Sequence, residues 1–182
     1  MERALPDTLE GYGARLRRLE PGDAEALGRA VIESIEHLRP WMAWIAEEPV
    51  TTFQRRAMLE QWRRGWPQAG EAVYGVFAEQ ALAGVCGMRP RTPRTIELGY
   101  WVHHGFVRRG LATSASRLLT DLAFTWPDLD AVEIHHDKAN LASGGVPRAL
   151  GYRLIGETPD PKLAPADTGI DCTWRVERGD WR

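Results

Sequence analysis

The sequence predicts an α/β (α+β) fold, one mixed sheet with helices on both faces. Hydrophobic positions alternate in some segments and recur every three or four residues in others, giving the order β-α-α-β-β-β-α-β-α-β-β. Consecutive strands are joined by tight turns and later strands by helices, which together predict one mixed sheet. The chain has 182 residues, 43% hydrophobic and 26% charged, an ordinary soluble composition. That length suits one domain over residues 1–182 with a sizeable core.

In "GARLRRLEP", Ala14, Leu16 and Arg18 alternate, predicting a strand over about residues 13–19. "PGDAEALGRAVIESIEHLRP" reads as one helix. Asp23 caps it, Ala24, Leu27, Ala30, Val31, Ile35 and Leu38 form its stripe, and Pro40 stops it. "TTFQRRAMLEQWRRGW" is a second helix with Thr51 or Thr52 as cap, Phe53, Ala57, Met58 and Trp62 as buried stripe, and Gly65 at its end. "EAVYGVFAEQALAGVCGMRP" predicts a hairpin of strands 72–78 and 81–89 around a Glu79-Gln80 turn. "TIELGYWVH" is a third strand-forming run. "GLATSASRLLTDLAF" is a helix by Leu111, Ala115, Leu118, Leu119 and Leu122, with Pro127 after its end. "AVEIHH" is a strand, "NLASGGVPRAL" a short, imperfect helix, and "GYRLIGE" another strand. "GIDCTWRVE" alternates Ile170, Cys172, Trp174 and Val176 against polar residues, as a half-solvated antiparallel strand does.

A net charge of −2 and a pI near 6.2 argue against a protein that coats nucleic acid. No apolar run approaches the roughly 18 residues of a membrane span, and "MERALPDTLEGYG" carries no signal-peptide pattern. Cys86 and Cys172 stand outside any pairing or metal motif, so a cytoplasmic protein with reduced thiols is expected. Of eight tryptophans, Trp41, Trp44, Trp62 and Trp66 cluster early. They fit core packing or the aromatic wall of a cleft, and both readings stay open.

"GYWVHHGFVRRGLATSAS" is strand, loop, glycine, helix. The first amides of a helix lack internal partners and its dipole places positive charge there, so such a turn binds an anion through its backbone. Gly110 permits close approach, Ala112 keeps a side chain away, and Arg108 and Arg109 add charge. By spacing alone the turn is equally a plain loop with two solvated arginines. It is neither a P-loop nor a dinucleotide fingerprint.

"HLRPWMAWI", "IELGYWVHHGFVRRGLATSASRLLTDLAF" and "NLASGGVPRALGYRLIGE", in that order, resemble the GNAT superfamily of acyl-CoA-dependent N-acyltransferases, on its RimJ/RimL-like branch. The resemblance spans nearly the whole chain. It implies a twisted, mostly antiparallel sheet splayed between its fourth and fifth strands, with acyl-CoA in the gap. It implies acetyl-CoA or another acyl-CoA as co-substrate, no metal, and an amine acceptor, either a small molecule or a protein N-terminus. Neither nucleic acid nor membrane is implied as a partner, and a homodimer is an arrangement common in the family.

On this resemblance Val107, Arg108, Arg109, Gly110, Leu111 and Ala112 form the pyrophosphate loop, with Val107 departing from the family's Gln or Arg. Thr113 stands in the helix's first turn, within reach of a phosphate oxygen. A backbone N–H near Trp101 or Val102, freed from the ladder, becomes the oxyanion donor. Asn140 holds the pantetheine arm or a bridging water, and is equally placed as a helix N-cap. Ser143 sits by the sulfur as proton donor, or in the lesser role of positioning the thiol. Trp41 and Trp44 wall the acceptor pocket or pack the linker.

The acceptor ammonium must lose a proton. Glu97 shares a strand face with Gly99 and Trp101, and a carboxylate beside tryptophan is a base of raised pKa. The alternative is an ion pair with Arg89, Arg91 or Arg94, with water taking the proton. His103-His104 and His135-His136 are adjacent strand residues facing opposite ways, and nothing is spaced to complete a metal tetrahedron. A single histidine, His136 or His103, is an alternative base. Tyr152 belongs to the core. Gly144-Gly145-Val146-Pro147 predicts a helix that starts late or bends, displacing Ser143. That departure motivates a second hypothesis, a CoA-binding relative without catalysis.

Overall fold

The computed structural model describes residues 5–65 and 71–182, so Trp66 lies outside the described residues. Strands β1 (Thr8–Gly11) and β2 (Ala14–Arg18) lead into helices α1 (Ala24–Glu33), α2 (Ile35–Leu38) and α3 (Thr52–Gly65). Then follow β3 (Ala72–Ala78), β4 (Ala81–Thr92), β5 (Thr95–Val102), α4 (Leu111–Phe124), β6 (Ala131–Asp137), α5 (Leu141–Ala149), β7 (Arg153–Pro159) and β8 (Ile170–Glu177). The described strands form an eight-stranded sheet in the order β1-β2-β3-β4-β5-β6-β8-β7. β1 is an addition to the seven strands expected. It is short and half-exposed, too weak a pattern to read, and exists by pairing with β2.

Every neighbouring pair is antiparallel except β5 and β6, which run parallel because α4 carries the chain across one face between them. Their pairing covers only Thr95–Leu98 against Ala131–Ile134. β5 stays on β4 as far as Val102, and β6 stays on β8 as far as Asp137. The C-terminal halves of β5 and β6 are therefore held from their outer sides and part from each other. The expected splay between fourth and fifth strands is this gap, shifted by one because of β1.

One face of the sheet carries α4, whose Leu111, Ala115, Leu118, Leu119 and Leu122 pack with Tyr74, Cys86, Leu98 and Ile134. The other carries α1 and α3, where Leu27, Val31 and Leu59 pack with Leu82 and Val85. Each fully buried leucine contributes roughly 1.5–3 kcal/mol, so these two layers fix which side each strand residue faces. The hairpin turns where expected, with Glu79 and Gln80 both at positive φ (52° and 70°), the geometry of a two-residue turn matched to strand twist. Tyr152 is in the core, its hydroxyl bonded to Thr120.

Two helix expectations are corrected. The first helix is not continuous to Pro40: it breaks at Ser34, which is fully buried and accepts a hydrogen bond from the His104 amide (3.1 Å). In α3 the buried positions are Arg55 and Leu59, while Phe53 is 81% exposed. The stripe is rotated because Arg55 points inward to Glu48, at 2.6 and 2.8 Å, with both side chains 4% exposed. A charged residue on a buried face cannot be read from hydrophobic spacing. As expected, Thr51 caps α3, bonding the Gln54 amide while the Gln54 side chain returns to the Thr51 amide.

Candidate active site

The gap between β5 and β6 opens into cavities that meet end to end. The first, about 570 Å³, is lined by Val107, Arg108, Gly110, Leu111, Ala112 and Thr113 of the turn into α4, by Trp101 and Val102, and by Asn140 and Ser143. The second, about 610 Å³, shares Trp41, Met42, Tyr100, Trp101, Asn140 and Ser143 with it and reaches beneath α1 and α3. The third, about 670 Å³, continues from there past Trp44, His135 and Asp137 toward Glu97, Asp171 and the segment before β8. A ligand in the turn and a molecule arriving from the opposite side would meet at Tyr100, Trp101 and Ser143.

The turn into α4 is bent at two positions. Arg108 (φ 61°) and Gly110 (φ 76°) both adopt left-handed conformations, bending the backbone so that successive amides face one concavity. Gly110 is the N-cap of α4, and its carbonyl takes the first helical bond, from Ser114 (2.9 Å). The amides of Leu111, Ala112 and Thr113 precede that bond at the positive end of the helix dipole, and these residues line the first cavity. The Arg109 side chain turns away, stacking on Phe106 (4.9 Å) and approaching Glu79 (3.6 Å).

At the splay, strand alternation divides the neighbours of "GYWV". The His103 amide bonds Ala83 on β4 (2.8 Å), so the amides of Tyr100 and Val102 face the gap and that of Trp101 faces β4. Of the two donors named from the sequence, Val102 has the right direction. The Trp101 side chain lies on the α1 and α3 side, tilted against Trp44 at 6.2 Å. Tyr100 lies on the α5 side, its hydroxyl 3.0 Å from the Ser143 carbonyl and 3.2 Å from Ser143 Oγ. Burial pushes the Tyr100 phenol up to about 12, against the opposing pull of its bond to Ser143.

Helix α5 corrects the expectation of a late start. Asn140 is its N-cap, accepting from the Ser143 amide at 3.1 Å, and the helix runs through Pro147. Gly144 is there because α5 crosses close to β6. A Cβ at this position would come within 2.8 Å of His136 Nε2. Asn140 is thus both cap and cavity wall, and Ser143 is held in the first turn.

Glu97 is 8% exposed. Arg89 donates to it at 2.6 Å, and Arg91 lies at 3.5 Å, so the ion-pair alternative is the one formed. It faces the outer cavity rather than the one that contains Ser143. The alternative histidine bases are spent. His136 donates from Nδ1 to the Asp137 carbonyl (2.8 Å) and accepts from Trp174 Nε1 (2.9 Å). His103 accepts from the Gly105 amide (3.0 Å) and bonds Glu33 (2.9 Å).

Several wall residues have partners that the sequence did not show. His135 bridges Asp171 (2.8 Å) and Glu133 (3.0 Å). Burial opposes charge on its ring, but those two hydrogen bonds outweigh it and hold its pKa above the ordinary value. Asp137 gathers the amides of Ala139, Thr168 and Gly169, and these hold its carboxyl below the usual range despite the opposing desolvation. Tyr100 had a legible signal, its parity opposite Trp101 at a splayed strand end. Glu48, Arg55 and His135 had none. Among the described residues no group of three or more His, Cys, Asp or Glu side chains is placed to hold a metal ion, and no helix is long and apolar enough to cross a membrane.

Residues 14–153 match the family model described as "Acetyltransferase (GNAT) domain". The chain is 30% identical over 148 residues, 80% of each protein, to "Putative ribosomal N-acetyltransferase YdaF" of Bacillus subtilis (strain 168). Its fold superposes with a TM-score of 0.87 on a structure described as "Probable acetyltransferase", at 26% identity over 96% of this chain and 98% of that one. With a RimL ribosomal L7/L12 alpha-N-protein acetyltransferase in complex with coenzyme A, the TM-score is 0.82 at 18% identity, over 93% and 97% of the two chains. The splayed sheet and the matched residues agree: the chain belongs to the GNAT acetyltransferase family.

Proposed function

We propose that this chain, acting as one domain in the cytoplasm, transfers the acetyl group of acetyl-CoA to the primary amine of a small molecule or a protein N-terminus, by direct attack. The observation that carries this is the junction of cavities at Tyr100, Trp101 and Ser143, with an anion turn at one end and an open mouth at the other. The backbone nest from Val107 to Thr113 fits a diphosphate without needing a side-chain cation. Acetyl-CoA supplies the acetyl group as an activated thioester.

The chain's residues do the rest. Amides of Tyr100 and Val102 facing the gap are preplaced donors for a developing oxyanion, usually the largest single contribution to acyl transfer. Ser143 offers a hydroxyl where the leaving sulfur would lie. Trp41 and Trp44 wall the amine's approach, with Asp137 and Asp167 beside them. The ammonium proton leaves through water, since Glu97 is held by Arg89 and stands one cavity away. Cys86 also lines the wall, but full burial pushes its thiol far up and keeps it protonated, which favours direct attack over an acyl-cysteine.

The ordered first turn of α5 removes the reason for a CoA-binding relative without catalysis, which rested on a displaced Ser143. The test is thiol release from acetyl-CoA across a panel of amines and N-terminal peptides. Coenzyme A binding without turnover on any acceptor would overturn the proposal. Glu97→Gln is expected to leave turnover little changed, because water takes the proton. A loss of about 10²-fold or more would make Glu97 the base.

A further inference from the structure

We propose that Tyr100 is a positioning residue that aims the Ser143 hydroxyl at the leaving sulfur, and that Pro147 creates its foothold. The proposal rests on the reading of Ser143 given above. In an α-helix the carbonyl of residue 143 takes the amide of residue 147. Pro147 has no N–H, and its ring pushes that carbonyl aside. The Ser143 carbonyl would be an unmet acceptor in a half-buried wall, and the Tyr100 hydroxyl supplies the missing donor at 3.0 Å. The same hydroxyl oxygen lies 3.2 Å from Ser143 Oγ.

This arrangement has two proton patterns on the same heavy atoms. In one, Tyr100 donates to the Ser143 carbonyl and the Ser143 hydroxyl donates to Tyr100. In the other, Tyr100 donates to Oγ, which frees the Ser143 hydrogen for a third acceptor on the cavity side. Sulfur becomes a strong acceptor as its bond to the acetyl carbon breaks and it takes both electrons. A rotation of two hydroxyl hydrogens then delivers a chain of donors to it. Both hydroxyls keep their protons. The phenol, pushed up to about 12, and an ordinary serine are weaker acids than a thiol, so coenzyme A departs as a hydrogen-bonded thiolate and takes its proton from water.

The measurement is the pKa of the thiol of bound coenzyme A, followed by ultraviolet thiolate absorbance against the desulfo analogue, together with CoA affinity and Tm. It needs no acceptor, so it stands even if no amine is turned over, the outcome that would overturn the acetyltransferase proposal instead. The bound thiol is expected to titrate below free coenzyme A in the wild type. Ser143→Ala should abolish the shift, and Tyr100→Phe should reduce the thiolate's preference about tenfold. The double variant should be no worse than Ser143→Ala, with CoA affinity within about twofold throughout.

Pro147→Ala separates this role from simple capping, because the substitution restores an amide to the Ser143 carbonyl. In that background Tyr100→Phe should no longer lower Tm yet should still weaken the thiol shift, and kcat with it where an acceptor is known. The proposal is overturned if bound thiol is unshifted in the wild type, if the two losses multiply, or if the effect of Tyr100→Phe disappears along with its Tm cost.

Discussion

Gly110 and Gly144 are both glycine for reasons that a substitution exposes. At Gly110 the requirement is conformational: φ is 76°, and the amides beyond it must turn into the cleft. Gly110→Leu should cost about 1–2 kcal/mol of fold stability and abolish the rise in Tm that coenzyme A produces. A surviving shift would place the diphosphate elsewhere. At Gly144 the requirement is space. A Cβ would press on His136, which is fixed by Trp174 and by the Asp137 carbonyl and cannot swing away without breaking both bonds. Gly144→Ala should therefore destabilise by about 1–3 kcal/mol and reduce turnover by shifting α5, and with it Ser143, off the gap. Equal Tm and activity would show that α5 has slack.

Elements meet the site through a few polar anchors. Glu48 and Arg55 tie the Trp44 segment to α3 at the inner end of the acceptor cavity. Arg55→Met should cost about 3–5 kcal/mol, because it strands the Glu48 carboxylate, whereas Glu48→Gln with Arg55→Met should cost clearly less. Chemical denaturation of the three proteins decides this. A double variant as unstable as the single would mean that the pair contributes through packing of the arginine stem instead. Such anchors were the illegible part of the helices. The leucine stripe of α4 was readable because burial there follows periodicity alone. In α3 the stripe was misplaced, because Arg55 is buried by a partner on another segment while Phe53 is left exposed. Ser34 broke the first helix for a similar reason, its hydroxyl serving the amide of His104 seventy residues away.

Across the whole molecule, function depends on β5 and β6 being joined at one end and apart at the other. β8 holds β6 on its far side, helped by His135 between Glu133 and Asp171. The folded protein raises the His135 pKa above 6.5, so its stabilisation is full below that pH and fades as pH rises through the folded value. Tm should fall as pH rises above 6.5, and His135→Gln should flatten that slope. An unchanged slope would assign it to other groups. At the acid end Glu133 acts oppositely. Its hydrogen bond to His135 leads in lowering its pKa against desolvation, and its contribution is lost as pH drops below 4.5.

By itself the sequence determined the period of strands β2 to β8 and of α4, the turn at Glu79-Gln80, the glycine turn into α4 at Gly110 and the capping role of Asn140. These depend on residues close together in the chain: alternation, a left-handed glycine, a side chain three positions from its amide. Trp41, Trp44 and Ser143, singled out through the order of three motifs, line one cavity. Only the tertiary structure decided that Glu97 is held by Arg89, that His103 and His136 have no lone pair to spare, and that Tyr100 stands on Ser143. A carboxylate's or an imidazole's chemistry is set by whatever lies within about 3 Å, and those neighbours arrive from distant strands and helices whose contacts no local spacing encodes.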